Sequence, residues 1–422
     1  ARDLVIARVF GADSGTDAFF VAFKIPNFAR RLFAEGAFSM ALVPVLGEYK
    51  SNRPELRRFV DDLAGTLGVL LLAVTALGVL GAPVLLLLFA PGFGEATDQH
   101  ELAVEMLRLT LPYLLFVSLT ALAGGVLNTF GRFGVPSFTP VLLNVSLIAC
   151  ALFLAPTMER PILALAWGVL TGGLAQLALQ LPCLARLGLL PRPRFNLADA
   201  GVRRVFRRMV PVLFGASVTQ IGLLLDTVLA SFLARGSISW LYYAERLMEF
   251  PMGILGAALG IVILPKLAET HVARSAEEFS ITLDRALRWA LLLGAPAALG
   301  LALLAGPIIA TLFYSPEFTP LDVVMASESL AAYAAGILGF LCIKVLAPGY
   351  YARQDTRTPV RFALAALLLN TLFSVVLMFP LRHTGLALGT AIAAAANAAL
   401  LLRGLLRQGV YRPQIGWRML AA

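Results

Sequence analysis

Apolar stretches of membrane length recur from one end of the chain to the other, separated by short clusters of charged and turn residues. The best segments are roughly 17–47, 60–90, 102–128, 137–155, 161–183, 205–233, 240–266, 285–313, 323–350, 359–380 and 385–407, and residues 1–10 read as the end of another. A helix needs about 20 mainly apolar residues to cross a bilayer, at 1.5 Å of rise each. No ten-residue alternating pattern is present, which excludes an outer-membrane barrel. The pattern predicts an all-α integral membrane protein.

Composition agrees, with 59% hydrophobic and 14% charged residues and a mean hydropathy of +0.83. A soluble chain is about one quarter charged. The formal charge of +9 suggests nucleic acid until its placement is read. With residues 1–10 leaving the cytoplasm, the cytoplasmic side holds Lys50, Arg53, Arg57, Arg58 and Arg132, then a dense group from Arg186 to Arg208. It also holds Lys266, Arg274, Arg285, Arg288, Arg353, Arg357, Arg361, Arg403, Arg407, Arg412 and Arg418. The opposite side holds Arg8, Arg160, Arg235 and Arg382. This positive-inside bias orients the chain in its membrane and leaves no nucleic-acid surface. Cys150, Cys183 and Cys342 lack CxxC spacing and read as small buried side chains. His100, His271 and His383 fall far apart in expected loops, a poor basis for a metal centre. The chain opens on Ala1 inside an apolar-charged pattern, and a natural start is expected to precede it.

The chain also repeats itself. Gly81 to Phe93 returns as Gly306 to Phe318, with Pro83 and Pro307 separated by 224 residues. Pro44 and Pro265 end similar helices 221 residues apart, and Arg132 and Arg353 mark similar turns at the same offset. The expected organisation is an N-terminal lobe of helices 1–6 over 1–183, with its first helix truncated. A basic cytoplasmic linker follows at 184–204, then a C-terminal lobe of helices 7–12 over 205–408 and a tail at 409–422. Six crossings separate equivalent helices, so the repeats share one orientation, as in transporters that hold substrate between two bundles.

Charges inside the spans are the candidate chemistry. A charge at the bilayer centre costs about 2.5–3.5 kcal/mol even on lenient scales. Asp17, Lys24, Arg31 and Glu35 lie near one helical stripe, with Arg30 turned away and Pro26 and Gly36 able to bend the helix. In the second half, Arg246 shares a face with Glu249, Glu245 lies four residues before Glu249, and Pro251 follows. Either these charges pair internally, or they line a polar cavity for an anion. An arginine fork suits bidentate phosphate, and Arg2, Arg30 and Arg246 from three helices would suit a pyrophosphate, with Asp3 beside the first. Asp226, Asn370, Ser374 and Thr390 form a weaker set, readable as a cation site or as interhelical hydrogen bonds. No GxxxxGK[ST] or HExxH motif occurs, so the expected energy source is an ion gradient (a monovalent cation), the membrane potential, a downhill substrate gradient or a partner.

Ala1-Arg-Asp-Leu-Val-Ile-Ala-Arg-Val-Phe-Gly11, Thr16 to Asn27, Arg30 to Ser39, Trp240 to Pro251 and Ala347 to Pro359 are the most specific stretches. Through them the chain closely resembles the MurJ/MviN family of lipid II flippases, within the MOP exporter superfamily, along essentially its whole length. The resemblance implies a V-shaped, MATE-like fold of fourteen helices, of which two lie beyond this sequence. It implies that Arg2, Arg30 and Arg246 engage the pyrophosphate of lipid II, an undecaprenyl-diphosphate-linked disaccharide-pentapeptide. Asp3, Asp17 and Glu249 match charged partners. Asp226, Asn370 and Thr390 resemble a sodium site of some members, in which Ser374 replaces a carboxylate. The implied partners are lipid II, membrane lipids and cell-wall synthesis proteins. The alternatives are export of another polyprenyl-diphosphate-linked glycan or amphiphile, and a membrane polyprenyl-phosphate transferase. A transferase needs an acid, base or metal cluster that Asp17, Glu35 and Glu249 are too scattered to form.

Overall fold

The computed structural model describes residues 1–30, 38–94, 97–272 and 275–413, and they are almost wholly helical. Contacts divide the chain into two compact units, Ala1–Gly236 and Ser237–Ala422. The first contains α1 (Arg2–Phe10), α2 (Ser14–Arg30), α3 (Phe38–Tyr49), α4 (Arg53–Leu80), α5 (Ala82–Phe89), α6 (Asp98–Thr110), α7 (Tyr113–Thr129), α8 (Gly134–Ala149), α9 (Leu163–Arg186) and α10 (Ala200–Ser231). The second contains α11 (Ser237–Val272), α12 (Ala276–Leu303), α13 (Ala305–Phe313), α14 (Pro320–Ala334), α15 (Ile337–Tyr351) and α16 (Arg357–Arg407). Among the described residues, seven helical stretches are long and apolar enough to span a membrane.

The repeat is visible in how the helices start and break. Asn52 caps α4 by accepting from Glu55 N, and Ser275 caps α12 by accepting from Glu278 N. Thr97 accepts from His100 N and Thr319 from Asp322 N at the starts of α6 and α14. Each cap satisfies an amide that the first helical turn leaves without an intrahelical acceptor. Each long helix is followed by a short one opening on a Gly-Pro or Ala-Pro region, α5 after α4 and α13 after α12.

The sequence separates 359–380 from 385–407, and the backbone agrees. A straight helix of 51 residues would be about 76 Å long, more than twice a hydrocarbon core. The chain instead leaves helical geometry at Arg382, with φ 53° and ψ −132°. Gly389 then packs on the backbone of Ser374 and Gly404 against Phe362, contacts that only an antiparallel pair allows.

A large part of the first unit's core joins α3, α4, α7 and α10, with Leu42, Leu46, Phe59, Leu63, Val126 and Val205 all buried. The end of α10 is tied to the same unit where Gly92 N donates to Ser231 Oγ at 3.0 Å. The linker is tied down too. Arg192 N donates to Asp61 Oδ1 at 2.6 Å, Arg194 N to Asp61 O at 3.0 Å, and Asn196 Nδ2 to Asp62 Oδ2 at 2.8 Å. Both aspartates are buried, so the linker supplies the hydrogen bonds that make their burial tolerable.

Two expectations are corrected. His100 is buried in the first turn of α6 and His271 lies inside α11, because the helices begin earlier and end later than the apolar runs. The three cysteines are free and half-buried rather than buried.

Candidate functional site

Within the first unit, the polar stripe of α2 is laid against the end of α10. Asp17 is buried and accepts from Gly236 N at 2.7 Å, where φ of 91° requires the glycine. Seven residues on, Lys24 Nζ donates to Thr227 Oγ1 at 2.8 Å. Pro26 lies inside α2, and its ring removes the hydrogen bond that Ala22 O would accept. Thr110 Oγ1 from α6 donates to that carbonyl at 3.2 Å, so a neighbouring helix satisfies the acceptor. At the end of α2, Arg30 Nε donates to Asn27 Oδ1 at 2.7 Å. At the start of α1, Arg2 holds Asp3 through Nε at 2.9 Å and a terminal nitrogen at 2.7 Å. Arg31, Glu35 and Gly36 lie outside the described residues.

In the second unit, an aromatic wall fixes the start of α11. Tyr243 is fully buried against Phe313 and Phe318, and Trp240 Nε1 donates to buried Asp322 at 2.8 Å. One turn later the Arg246 guanidinium lies 4.9 Å from the Tyr242 ring centroid and 2.5 Å from Glu249 Oε2. The ring holds the cation by its face and the carboxylate by its edge. Glu245 is half-buried beside it, and Pro251 lies inside the helix.

Lys344 extends this charged face and is the residue the sequence reading passes over. Its Nζ donates to Met252 O at 3.2 Å and lies over Gly256, one to two turns beyond Glu249. A side chain at Gly256 would occupy the same space. The available signal was a lone lysine inside the apolar run 323–350, the same signal that marked the other charges.

The proposed cation residues fall in both units. Asp226 is half-buried in α10 of the first, while Asn370, Ser374 and Thr390 belong to α16 of the second. Asn370 and Ser374 are buried a turn apart, whereas Thr390 Oγ1 donates to Leu386 O of its own helix at 3.1 Å. Among the described residues no group of three His, Cys, Asp or Glu side chains is arranged around a metal position.

A family model described as "Lipid II flippase MurJ" matches residues 6–422. The chain belongs to the MurJ lipid II flippase family. A Vibrio cholerae relative named probable lipid II flippase MurJ is 49% identical over 97% of this chain and 80% of its own length. The Burkholderia cenocepacia lipid II flippase MurJ is 44% identical over 99% of this chain and 82% of its own. A solved lipid II flippase MurJ in an inward closed conformation is 27% identical, with TM-score 0.83 over 96% of this chain and 84% of that one. An inward-facing multidrug resistance MATE transporter of the MOP superfamily gives TM-score 0.78 at 14% identity, over 97% and 93% of the two chains, a likeness of fold alone. The chain is therefore a multi-pass protein of the bacterial inner membrane with an all-α, MOP-type fold.

Proposed function

We propose that this protein moves lipid II from the cytoplasmic to the periplasmic leaflet by alternating access, with Arg2, Arg30 and Arg246 engaging the pyrophosphate. Family membership along nearly the whole chain supports the substrate. The observation that carries the site is Arg246, held on a membrane-length helix by Tyr242 and Glu249. Such a guanidinium is pre-oriented for a diphosphate, which would compete with Glu249 for the fork. Lys344 would add a second cation along the same face of α11. A flippase moves its lipid without changing its bonds, so the transferase reading is set aside. The finer architecture in this reading is two six-helix bundles in a V, completed by two more helices in the full protein.

The test is lipid II binding by folded, membrane-inserted variants. Arg246→Ala and Arg30→Ala should each weaken binding about ten- to a hundredfold, the equivalent of about 1.5–3 kcal/mol for a charged hydrogen bond. Arg246→Lys should recover little, because it keeps the charge and loses the fork. Normal binding by both alanine variants would return these arginines to structural ion pairing. Binding another undecaprenyl diphosphate equally well would widen the substrate class. For the drive, membrane potential or a monovalent cation at Asp226, Asn370, Ser374 and Thr390 is the proposal. Transport at clamped potential, with and without sodium, separates the two.

A further inference from the structure

In the first unit, α4, α7 and α9 leave a cavity of about 480 Å³ lined by apolar residues. That volume is in the range of about 300–1,000 Å³ typical of small-molecule sites. Linker residues Leu190, Pro191 and Pro193 roof it at one end, and Val69 and Leu72 on its flank are 49% and 57% exposed. From Val60 to Leu72, α4 rises about 18 Å, close to the roughly 15 Å hydrocarbon depth of one leaflet. The positive-inside bias puts the roof on the cytoplasmic face.

The roof is anchored. Its backbone is held at Arg192 and Arg194 by Asp61, and at Asn196 by Asp62 and by Thr66 Oγ1 at 3.1 Å. Arg192 and Arg194 themselves are exposed, as is Arg186 at the end of α9. An apolar slot therefore lies beneath a linker segment that carries exposed arginines. Its charge pattern is complementary to an anionic lipid and not to a zwitterionic one.

We propose that this slot binds an acyl chain of an anionic glycerophospholipid of the cytoplasmic leaflet, with its phosphate at Arg192 and Arg194. The site is separate from Arg2, Arg30 and Arg246 and does not depend on their role. Binding would make the linker's position sensitive to the lipid around it, because the same residues roof the slot and carry the charges.

Gly68 supplies the discriminating variant, since it borders the slot and an added Cβ meets nothing within 4 Å. The purified full chain is placed in phosphatidylcholine nanodiscs containing a trace of phosphatidylglycerol or phosphatidylcholine with a photoreactive acyl chain. Labelled peptides are then mapped by mass spectrometry. Phosphatidylglycerol should label Val69, Leu72 or Leu119 at least fivefold more than phosphatidylcholine does. Arg192→Gln with Arg194→Gln should remove that preference, at about fivefold per arginine. Gly68→Phe should abolish labelling of the slot by either lipid, and Gly68→Leu gives the same reading if the ring disturbs folding. Equal labelling by the two lipids, or no labelling of the slot, would overturn the proposal. So would labelling unchanged by the arginine or Gly68 substitutions.

Discussion

The chain leaves each half of the repeat in the same way and is then held differently. After α9 and after α16 it turns through a left-handed glycine, Gly188 with φ 68° and Gly409 with φ 66°. The next amides close equivalent bonds, Leu189 N to Leu184 O and Val410 N to Leu405 O. Each exit then reaches a buried aspartate at one repeat position, Asp61 on α4 and Asp284 on α12. Asp61 takes one main-chain amide of the linker, Arg192 N, on its carboxylate and a second, Arg194 N, on its own carbonyl. Asp284 takes the Tyr411 hydroxyl at 2.8 Å and Arg288 at 2.7 Å, while Ser280 Oγ accepts from Arg412 N at 2.9 Å. The repeat has kept the acceptor and changed the donors.

The residue one turn along explains the change. In α4 it is Gly65, on which the Arg194 backbone lies directly. In α12 it is Arg288, which fills that space and pairs with Asp284. A glycine lets a chain cross the helix; an arginine requires the chain to be caught by a side chain earlier.

The largest expected effect is at the side-chain anchor. Asp284→Ala removes a buried partner from both Arg288 and Tyr411 and should cost about 3 kcal/mol or more. A fall in the thermal unfolding midpoint, with new chymotryptic cleavage after Tyr411, which is buried in the folded chain, would show it. Asp61→Ala should cost about 1.5–3 kcal/mol, because the lost bond, from Arg192 N, has a charged acceptor. Chymotryptic cleavage should then rise after Phe195 in the linker while Tyr411 stays protected. Release of the wrong exit, or of neither, breaks the equivalence. Gly65→Ala sharpens it, since a methyl group there meets linker backbone and should cost about 1–2 kcal/mol with the same cleavage pattern.

The smallest effect is at Asp355, before α16. Its carboxylate accepts from Arg357 N at 3.2 Å and Thr358 N at 3.0 Å. Hydrogen bonding from Thr358, first through its side chain and then its backbone, holds the carboxyl below its ordinary range. A carboxylate lowered on folding adds stability above its unfolded pKa of about 3.9, and that stability is lost as pH falls through the folded value. Asp355→Ala should cost about 0.5–1 kcal/mol near neutral pH. The difference from wild type should fade in strongly acidic buffer, as denaturant midpoints measured across pH would show.

The spans and the repeat were legible because burial in lipid writes itself as runs of apolar residues, and even the reversal at Arg382 was marked by Pro380 and its polar neighbours. Arg246 and Glu249 were legible as charges three apart on one helix. The linker's hold on Asp61 was not, because its donors are backbone amides that any residue supplies. Trp240 with Asp322 was not legible for another reason: in sequence Asp322 stands near Glu317 in a polar stretch between apolar runs, whereas in the structure it caps α14 and is buried.

The most direct test of the central claim is translocation of lipid II in proteoliposomes containing the full-length protein, at matched levels of wild type, Arg246→Ala and Arg246→Lys. Wild type should carry intact lipid II to the opposite leaflet, and both variants should be slowed at least tenfold while remaining folded and inserted. Wild-type rates in both variants, or no movement of lipid II by the wild type under an imposed membrane potential with sodium present, would contradict the account.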